Sequence, residues 1–311
     1  MSEIINFRQF GVHLSYSHVE KLGDKLERIS NLIDWDKFRK FFDKNSKVGR
    51  PPYDSVIMIK ILTLQSWYGI SDQEMEYQIA DRISFQKFLG FPKEIPDFTT
   101  IWRFREELTK TDIMDDIWKE LKSQMNEKGI KFSKSVIQDA TFVEAPPGKT
   151  NSGMEDRGRG QPTSRNEDGT WAKKNNKSYF GYKDHAKIDS ENGIVTEVAV
   201  TAASVHDSCI DLSKPDEVVY RDKGYFGAKP KAKGDATMGR SVRDHPLSVR
   251  DKLRNKRISK KRAPGERPFA VLTNVMNGCY TRLTTLGRVF VQQVMCFFTY
   301  NLFQMRRILG R

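Results

Sequence analysis

Three acidic side chains in this 311-residue chain have the chemistry to act together: Asp139, Asp222 and Glu266. Asp139 stands in the middle of the β-rich run Val136-Ile137-Gln138-Asp139-Ala140-Thr141-Phe142-Val143, just before the turn Glu144-Ala145-Pro146-Pro147-Gly148. A strand interior disfavours Asp and burial of a lone charge is costly, so something must compensate this carboxylate. Asp222 closes a second apolar run, Val218-Val219-Tyr220-Arg221, at the strand end where open α/β sheets present their sites. Glu266 falls in the first turn of a helix opened by Ala263-Pro264-Gly265, a position that tolerates Pro and favours an anion. Carboxylates on neighbouring strands repel one another unless a cation sits between them. Few, hard oxygen ligands suit Mg²⁺ or Mn²⁺, which keep waters and accept phosphate oxygens. Two such ions ~4 Å apart activate a nucleophile on one side of a phosphodiester and stabilise the leaving oxygen on the other. Acids this far apart in sequence carry no fixed geometry, and two unrelated solvent-facing Asp residues are the plain alternative.

The elements that must position these acids fall into two halves. The first, residues 1–130, reads as all-helical. Phe10, Val12 and Leu14 alternate briefly, and Leu22, Leu26, Ile29, Leu32 and Ile33 follow a helical spacing. His13 and His18 have no other ligand types at metal spacing and read as surface or packing residues. Gly49-Arg50-Pro51-Pro52-Tyr53 punctuates the chain, Asp54 caps an apolar helix that closes at Gly69, and Ser71-Asp72-Gln73-Glu74 is a capping box for the next. Pro96-Asp97-Phe98-Thr99-Thr100 leads into a helix carrying Arg103 and Arg105 near its start. Short helices on tight turns suit a helix-turn-helix-like unit for DNA ends, or equally a dimerisation domain. One further helix, about 112–128, ends at Gly129.

Beyond residue 130 the period becomes strand-like. A polar segment, 146–179, has loop composition and holds Trp171, which could stack on an unpaired base or cap a sheet edge. Tyr182 to Asp189 and Ile194 to Thr201 read as a hairpin around Ser190-Glu191-Asn192-Gly193, and Ser204 to Ser208 opens a short helix. His185 and His206 are candidate proton shuttles, although a lone His in such a segment is more often a packed, hydrogen-bonded residue. Segment 227–262 reads as a basic, Gly/Pro-punctuated insert, with eight Lys and Arg between Arg250 and Arg262.

Charge distribution narrows the partners. The net charge of +13 is concentrated in residues 221–311, which hold 21 Lys and Arg against 5 Asp and Glu, while the rest is near neutral. A basic third on a neutral body points to a polyanion, nucleic acid above all. Three scattered cysteines, Cys209, Cys279 and Cys296, without a CxxC pair, fit a reducing cytoplasm and argue against a zinc module or disulfide frame. The N-terminus lacks a signal pattern. The apolar run Val289 to Phe303 is too short and too interrupted (Gln292, Gln293, Thr299, Asn301) to span a bilayer, and reads as a buried helix. No P-loop, GxSxG or HExxH pattern is present, so no rival chemistry competes with carboxylates and metal.

Five stretches in order then give a resemblance covering nearly the whole chain. They are Gly49-Arg50-Pro51-Pro52-Tyr53, Pro96-Asp97-Phe98-Thr99-Thr100-Ile101-Trp102-Arg103-Phe104-Arg105, Lys177-Ser178-Tyr179-Phe180-Gly181-Tyr182-Lys183, Tyr220-Arg221-Asp222-Lys223-Gly224-Tyr225 and Arg262-Ala263-Pro264-Gly265-Glu266-Arg267-Pro268-Phe269-Ala270. Together they resemble the DDE transposases of bacterial and archaeal insertion sequences, most closely insertion-sequence family five. The resemblance implies an α/β architecture: an RNase H-like mixed sheet with flanking helices over 131–311, preceded by the helical domain. It implies that Asp139, Asp222 and Glu266 are the catalytic, metal-binding acids for Mg²⁺ or Mn²⁺, two ions together. It further implies inverted-repeat ends and target DNA as double-stranded partners, a homodimer on DNA, and a cytoplasmic, nucleoid-associated place in a prokaryote. DNA contact is expected from Arg103, Arg105, Lys183, Lys260, Lys261, Arg262 and Arg267. Ser259 and Thr273 stand where related transposases carry Tyr and Lys, so Lys260, Lys261 and Arg267 are expected to take over phosphate contact. A nuclease that cuts without joining, and a non-catalytic DNA-binding relic, are the rival readings.

Overall fold

The structure is a computed structural model that describes residues 14, 16–42, 52–148, 166–174, 176–242 and 245–310. The expected alternation at Phe10 and Val12, His13, the Gly49-Arg50-Pro51 punctuation and residues 149–165 of the polar segment lie outside the described residues. The chain divides into two compact units, one made of residues 1–130 with 302–311 and the other of residues 131–301.

The first unit is helical. Its helices are α1 (Lys25–Ser30), α2 (Ser55–Tyr68), α3 (Asp72–Asp81), α4 (Ile83–Leu89), α5 (Phe98–Thr109) and α6 (Ile113–Glu127), with a 3₁₀ helix over Trp35–Phe41. Local chemistry sets the boundaries. Asp54 accepts the Val56 N–H at 2.9 Å to start α2, and Gly69, at φ 61°, ends it in the left-handed conformation that a Cβ would disfavour. Ser71 accepts the Glu74 N–H at 3.2 Å, which makes half of the expected capping box; the Glu74 carboxylate accepts from Gln78 instead. Ile59, Leu64, Met75, Ile79, Phe85, Ile101 and Leu121 are fully buried in this unit.

The second unit is built on a six-stranded mixed sheet. Its strands are β1 (Ser135–Glu144), β2 (Thr170–Lys174), β3 (Lys177–Asp189), β4 (Val195–Ala202), β5 (Val218–Arg221) and β6 (Gly234–Thr237). β1 is central, antiparallel to β3 on one side and parallel to β5 on the other, and β6 runs parallel to β5 at the edge. The far edge of β3 pairs first with β2 and then with β4, both antiparallel. This is the RNase H-like arrangement, completed by helices α7 (Val249–Arg262) and α8 (Glu266–Asn274) and by the first part of α9 (Leu286–Ile308), whose residues from 302 on belong to the first unit.

The polar interruptions of the apolar run in α9 have structural reasons. Asn301 both receives the Val195 N–H at 2.9 Å and donates to the Val195 carbonyl at 2.8 Å, and Gln293 donates to the Gly278 carbonyl. Two sequence expectations need correction. β2 lies in what reads as loop, because Thr-Trp-Ala-Lys-Lys is an edge strand with no buried residue to give it a period. The basic segment 227–262 is not an irregular insert, since it contains β6 and the 14-residue helix α7. Only Asn255 and Ile258 of α7 are buried, so it shows no apolar stripe.

Candidate active site

Asp139 sits opposite Ala186 in the β1–β3 ladder, with its side chain on the face shared by Ile137 and Thr141. On the other side, the parallel register pairs Ile137 with Tyr220. Two residues farther along each chain come Asp139 and Asp222, so the second acid follows the end of β5 beside the first. The Asp222 carboxylate accepts the Gly224 N–H at 2.7 Å, which caps the 3₁₀ turn Lys223–Tyr225 and fixes its direction.

The electrostatics of the pair are unfavourable without a cation. Burial pushes the Asp139 carboxyl above the ordinary carboxylate range. The Arg262 guanidinium and the Ala140 N–H pull it back, and the negative charge of Asp222 pushes it up again. Arg262 donates to Asp139 Oδ2 at 2.7 Å, and both side chains are largely buried. The C-terminal end of α7 therefore delivers a cation that compensates the strand Asp.

Glu266 arrives differently. The 3₁₀ turn Ala263–Gly265 joins α7 to α8, and Gly265 lies so close to β1 that a Cβ there would come within 2.6 Å of Ile137 Cγ2. Glu266, the next residue, is exposed. Among the described residues no group of three or more His, Cys, Asp or Glu is placed to hold a metal ion. The structure brings Asp139 and Asp222 together and sets Glu266 directly after Gly265, which packs against Ile137 on the sheet face that carries Asp139. A divalent cation fits the Asp pair: two mutually repelling carboxylates, one of them desolvated, are a donor set that an ion keeping most of its waters would relieve. Gly265→Ala is expected to push α8 off β1 and cost about 1–3 kcal/mol, measured by thermal unfolding, with Ile137→Ala in the same chain restoring most of it.

The other candidate residues fall in varied places. Lys183 is buried, donates to the Val205 carbonyl and to Asp207 Oδ1, both at 2.8 Å, and lies over the Phe142 ring, so its ammonium is committed within the fold. Arg105 is bound to Asp72, while Arg103 is exposed on α5. Lys260 and Lys261 are exposed at the end of α7, and Arg267 is half-buried in the first turn of α8. His185 is fully buried, bonded through Nε2 to Thr201 Oγ1 at 2.9 Å, with its pKa lowered to about 4 chiefly by burial; it is a packed, neutral ring. His206 caps the 3₁₀ turn Asp207–Cys209 through its Nδ1. Trp171 is 61% exposed, edge-on to Phe180. Thr273, which stands in place of a family Lys, donates to the Phe269 carbonyl within α8.

Sequence reasoning missed Asp184. It lies opposite Thr141 in the ladder, on the same sheet face as Asp139, fully buried, and neither carboxylate oxygen has a hydrogen-bond partner. Burial holds its carboxyl well above the ordinary range. The signal was its parity with apolar Tyr182, Ala186 and Ile188 along β3.

Comparison with known families decides the identity. The description "Transposase DDE domain" matches residues 131–302, and "Transposase domain (DUF772)" matches residues 14–107. The chain belongs to the DDE transposase family. No solved structure matches it. As a DDE transposase it is a member of a family that acts on DNA with divalent metal ions. Among the described residues no helix is long and apolar enough to cross a membrane.

Proposed function

We propose that this transposase binds the terminal inverted repeats of its insertion sequence, cleaves the DNA there to free 3′-OH groups, and joins those ends to target DNA. The observation that carries the reading is the Asp139–Asp222 pair, set at adjacent parallel strands of a DDE domain with Arg262 bonded to Asp139. These two carboxylates would hold the metal, with Glu266 as the third acid. The chemistry supplied by bound Mg²⁺ or Mn²⁺, as two ions, is activation of the attacking oxygen and stabilisation of the leaving one.

The protein's own groups position the strands. Lys260 and Lys261 on α7 and Arg267 on α8 anchor phosphates beside the acids, and this contact weakens as salt rises. Arg262 neutralises Asp139 and, with a cation on that carboxylate, would be free to take a phosphate oxygen. Arg103, exposed on α5, is the remaining candidate in the helical unit for contact with the repeat. Two ends must be processed together, so the working form is a homodimer on DNA.

The exposure of Glu266 favours one second reading, a relic that binds DNA without cutting it. A labelled duplex carrying the element's end, incubated with Mn²⁺ and a supercoiled plasmid, tests the proposal. Transposase activity gives labelled product joined to the plasmid. Nicked end without joined product leaves a nuclease, and binding without a nick leaves the relic.

A further inference from the structure

Asp139 and Asp222 share one face of the sheet, and the opposite face behind them holds two buried polar atoms that no bond accounts for. Tyr225 and His185 are both 0% exposed. Neither the Tyr225 hydroxyl nor His185 Nδ1 has a hydrogen-bond partner among the described residues. Unpaired polar atoms in an interior are costly and rare.

Proton placement makes the two complementary. Thr201 Oγ1 donates to the Ala202 carbonyl at 3.2 Å, so it accepts from His185 Nε2 at 2.9 Å, and Nε2 carries the proton of the neutral ring. His185 Nδ1 is then a bare acceptor. The Tyr225 hydroxyl is a donor, because burial and then the charges of Asp207, Asp139 and Asp222 hold its pKa above the ordinary value. Gln138 lies beside the hydroxyl, but its Nε2 is given to the Ile210 carbonyl at 2.6 Å and its Oε1 receives the Leu212 N–H at 3.1 Å.

The register of the sheet sets donor and acceptor facing one another. His185 pairs with Ala140 across β1 and β3, on the face opposite Asp139. Ile137 pairs with Tyr220 across β1 and β5, so three residues farther along Ala140 has the 3₁₀ turn Lys223–Tyr225 on its other flank. The small Ala140 side chain thus stands between them, across two strand spacings or roughly 10 Å of backbone separation. An imidazole and a phenol reaching in from both sides span that distance, directly or through one buried water. The Arg221 guanidinium lies 5.4 Å from the centroid of the Tyr225 ring and is itself fixed by bonds to Thr237 Oγ1 and the Ala228 carbonyl.

We propose that Tyr225 donates to His185 Nδ1, directly or through one water, and that this link positions Asp222 for its cation. Tyr225 ends the turn that the Asp222 carboxylate caps, so rotation of the turn would swing that carboxylate away from Asp139. Tyr225 and His185 are positioning residues, on the side of the sheet away from the ion. The proposal rests on the reading that Asp139 and Asp222 hold a divalent metal. Groups that orient a metal ligand typically contribute roughly ten- to a hundredfold in affinity.

The test is Mn²⁺ binding to the full chain without DNA, read from the electron paramagnetic resonance of free Mn²⁺, with thermal unfolding alongside. Tyr225→Phe, which keeps the ring, is expected to weaken Mn²⁺ binding roughly tenfold. His185→Gln keeps a donor for Thr201 and offers nothing at the Nδ1 position, and should weaken it to the same extent. The double variant should bind no more weakly than either single one, because both changes remove the same interaction. A cooperative unfolding transition in Tyr225→Phe would mark its loss as one of binding and not of fold. Wild-type Mn²⁺ affinity in Tyr225→Phe would overturn the proposal, and so would losses that multiply in the double variant. If His185→Gln does not fold, the Tyr225→Phe affinity decides alone. Mn²⁺ bound as tightly by Asp222→Ala as by wild type, or not bound by wild type, would overturn the metal reading and the proposal with it.

Discussion

Asp184→Asn is expected to make the protein more stable at neutral pH, with the gain vanishing in acid. Asp184 is fully buried on β3, both oxygens lack partners, and burial alone raises its carboxyl well above 3.8. In the unfolded chain the same carboxyl ionises near its ordinary value, so the unfolded state sheds its proton first as pH rises. A raised acid therefore costs stability above the unfolded pKa, and the cost grows until pH reaches the folded pKa. Each pH unit in that window removes about 1.4 kcal/mol. Asn keeps the shape and carries no titrating proton. Chemical unfolding of the two proteins from pH 4 to pH 8 should give curves that meet near pH 4 and separate steadily above it. Parallel curves would mean that Asp184 is paired or hydrated in solution.

Lys187→Met should have the opposite sign and a comparable size. The Lys187 side chain is 1% exposed and its ammonium lies 3.2 Å from both Glu197 Oε1 and Glu217 Oε1. Glu197 keeps a second cation, Lys214, at 2.9 Å. The Glu217 carboxylate accepts the Lys214 backbone N–H at 2.7 Å as well as the Lys187 ammonium, and its side chain is 11% exposed. Removing one partner of a buried pair strands the other, at a cost of roughly 3–5 kcal/mol, and the melting temperature should fall by about 10 °C. Lys187→Met with Glu217→Gln should recover much of the loss, because no buried charge is then left unpaired. If the double variant is no more stable than the single one, packing of the Lys187 stem matters more than its charge.

Both residues show where the sequence was informative. The run Tyr182-Lys183-Asp184-His185-Ala186-Lys187-Ile188 reads as a strand, and the structure buries both of its faces, the charged residues included. Which charges find partners across the sheet depends on residues 10 to 30 positions away, and no local pattern reports that. The helices of the first unit were readable because Asp54, Gly69, Ser71 and Asp97 punctuate them chemically. α7 was not readable, because a helix whose exposed surface is mostly Lys and Arg, with no apolar stripe, looks like a basic loop. At the site, Asp139 could be recognised as a strand Asp needing compensation. That its compensating partner is Arg262, 123 residues away, follows only from the fold. The exposure of Glu266 had no sequence signal, since a first-turn acid is favourable whether or not it faces a ligand.

The most direct measurement of the central claim compares wild type with Asp139→Asn on a labelled duplex bearing the element's end, in Mn²⁺ and in EDTA. Asn is close in shape to Asp139 and can still accept the Arg262 hydrogen bond, so the fold should be retained while the negative charge that draws a divalent cation is gone. The account requires a nick at the end that needs metal and disappears in Asp139→Asn, with DNA affinity little changed. Metal-dependent cutting that survives in Asp139→Asn would contradict it, and would move the chemistry away from the β1–β5 acid pair.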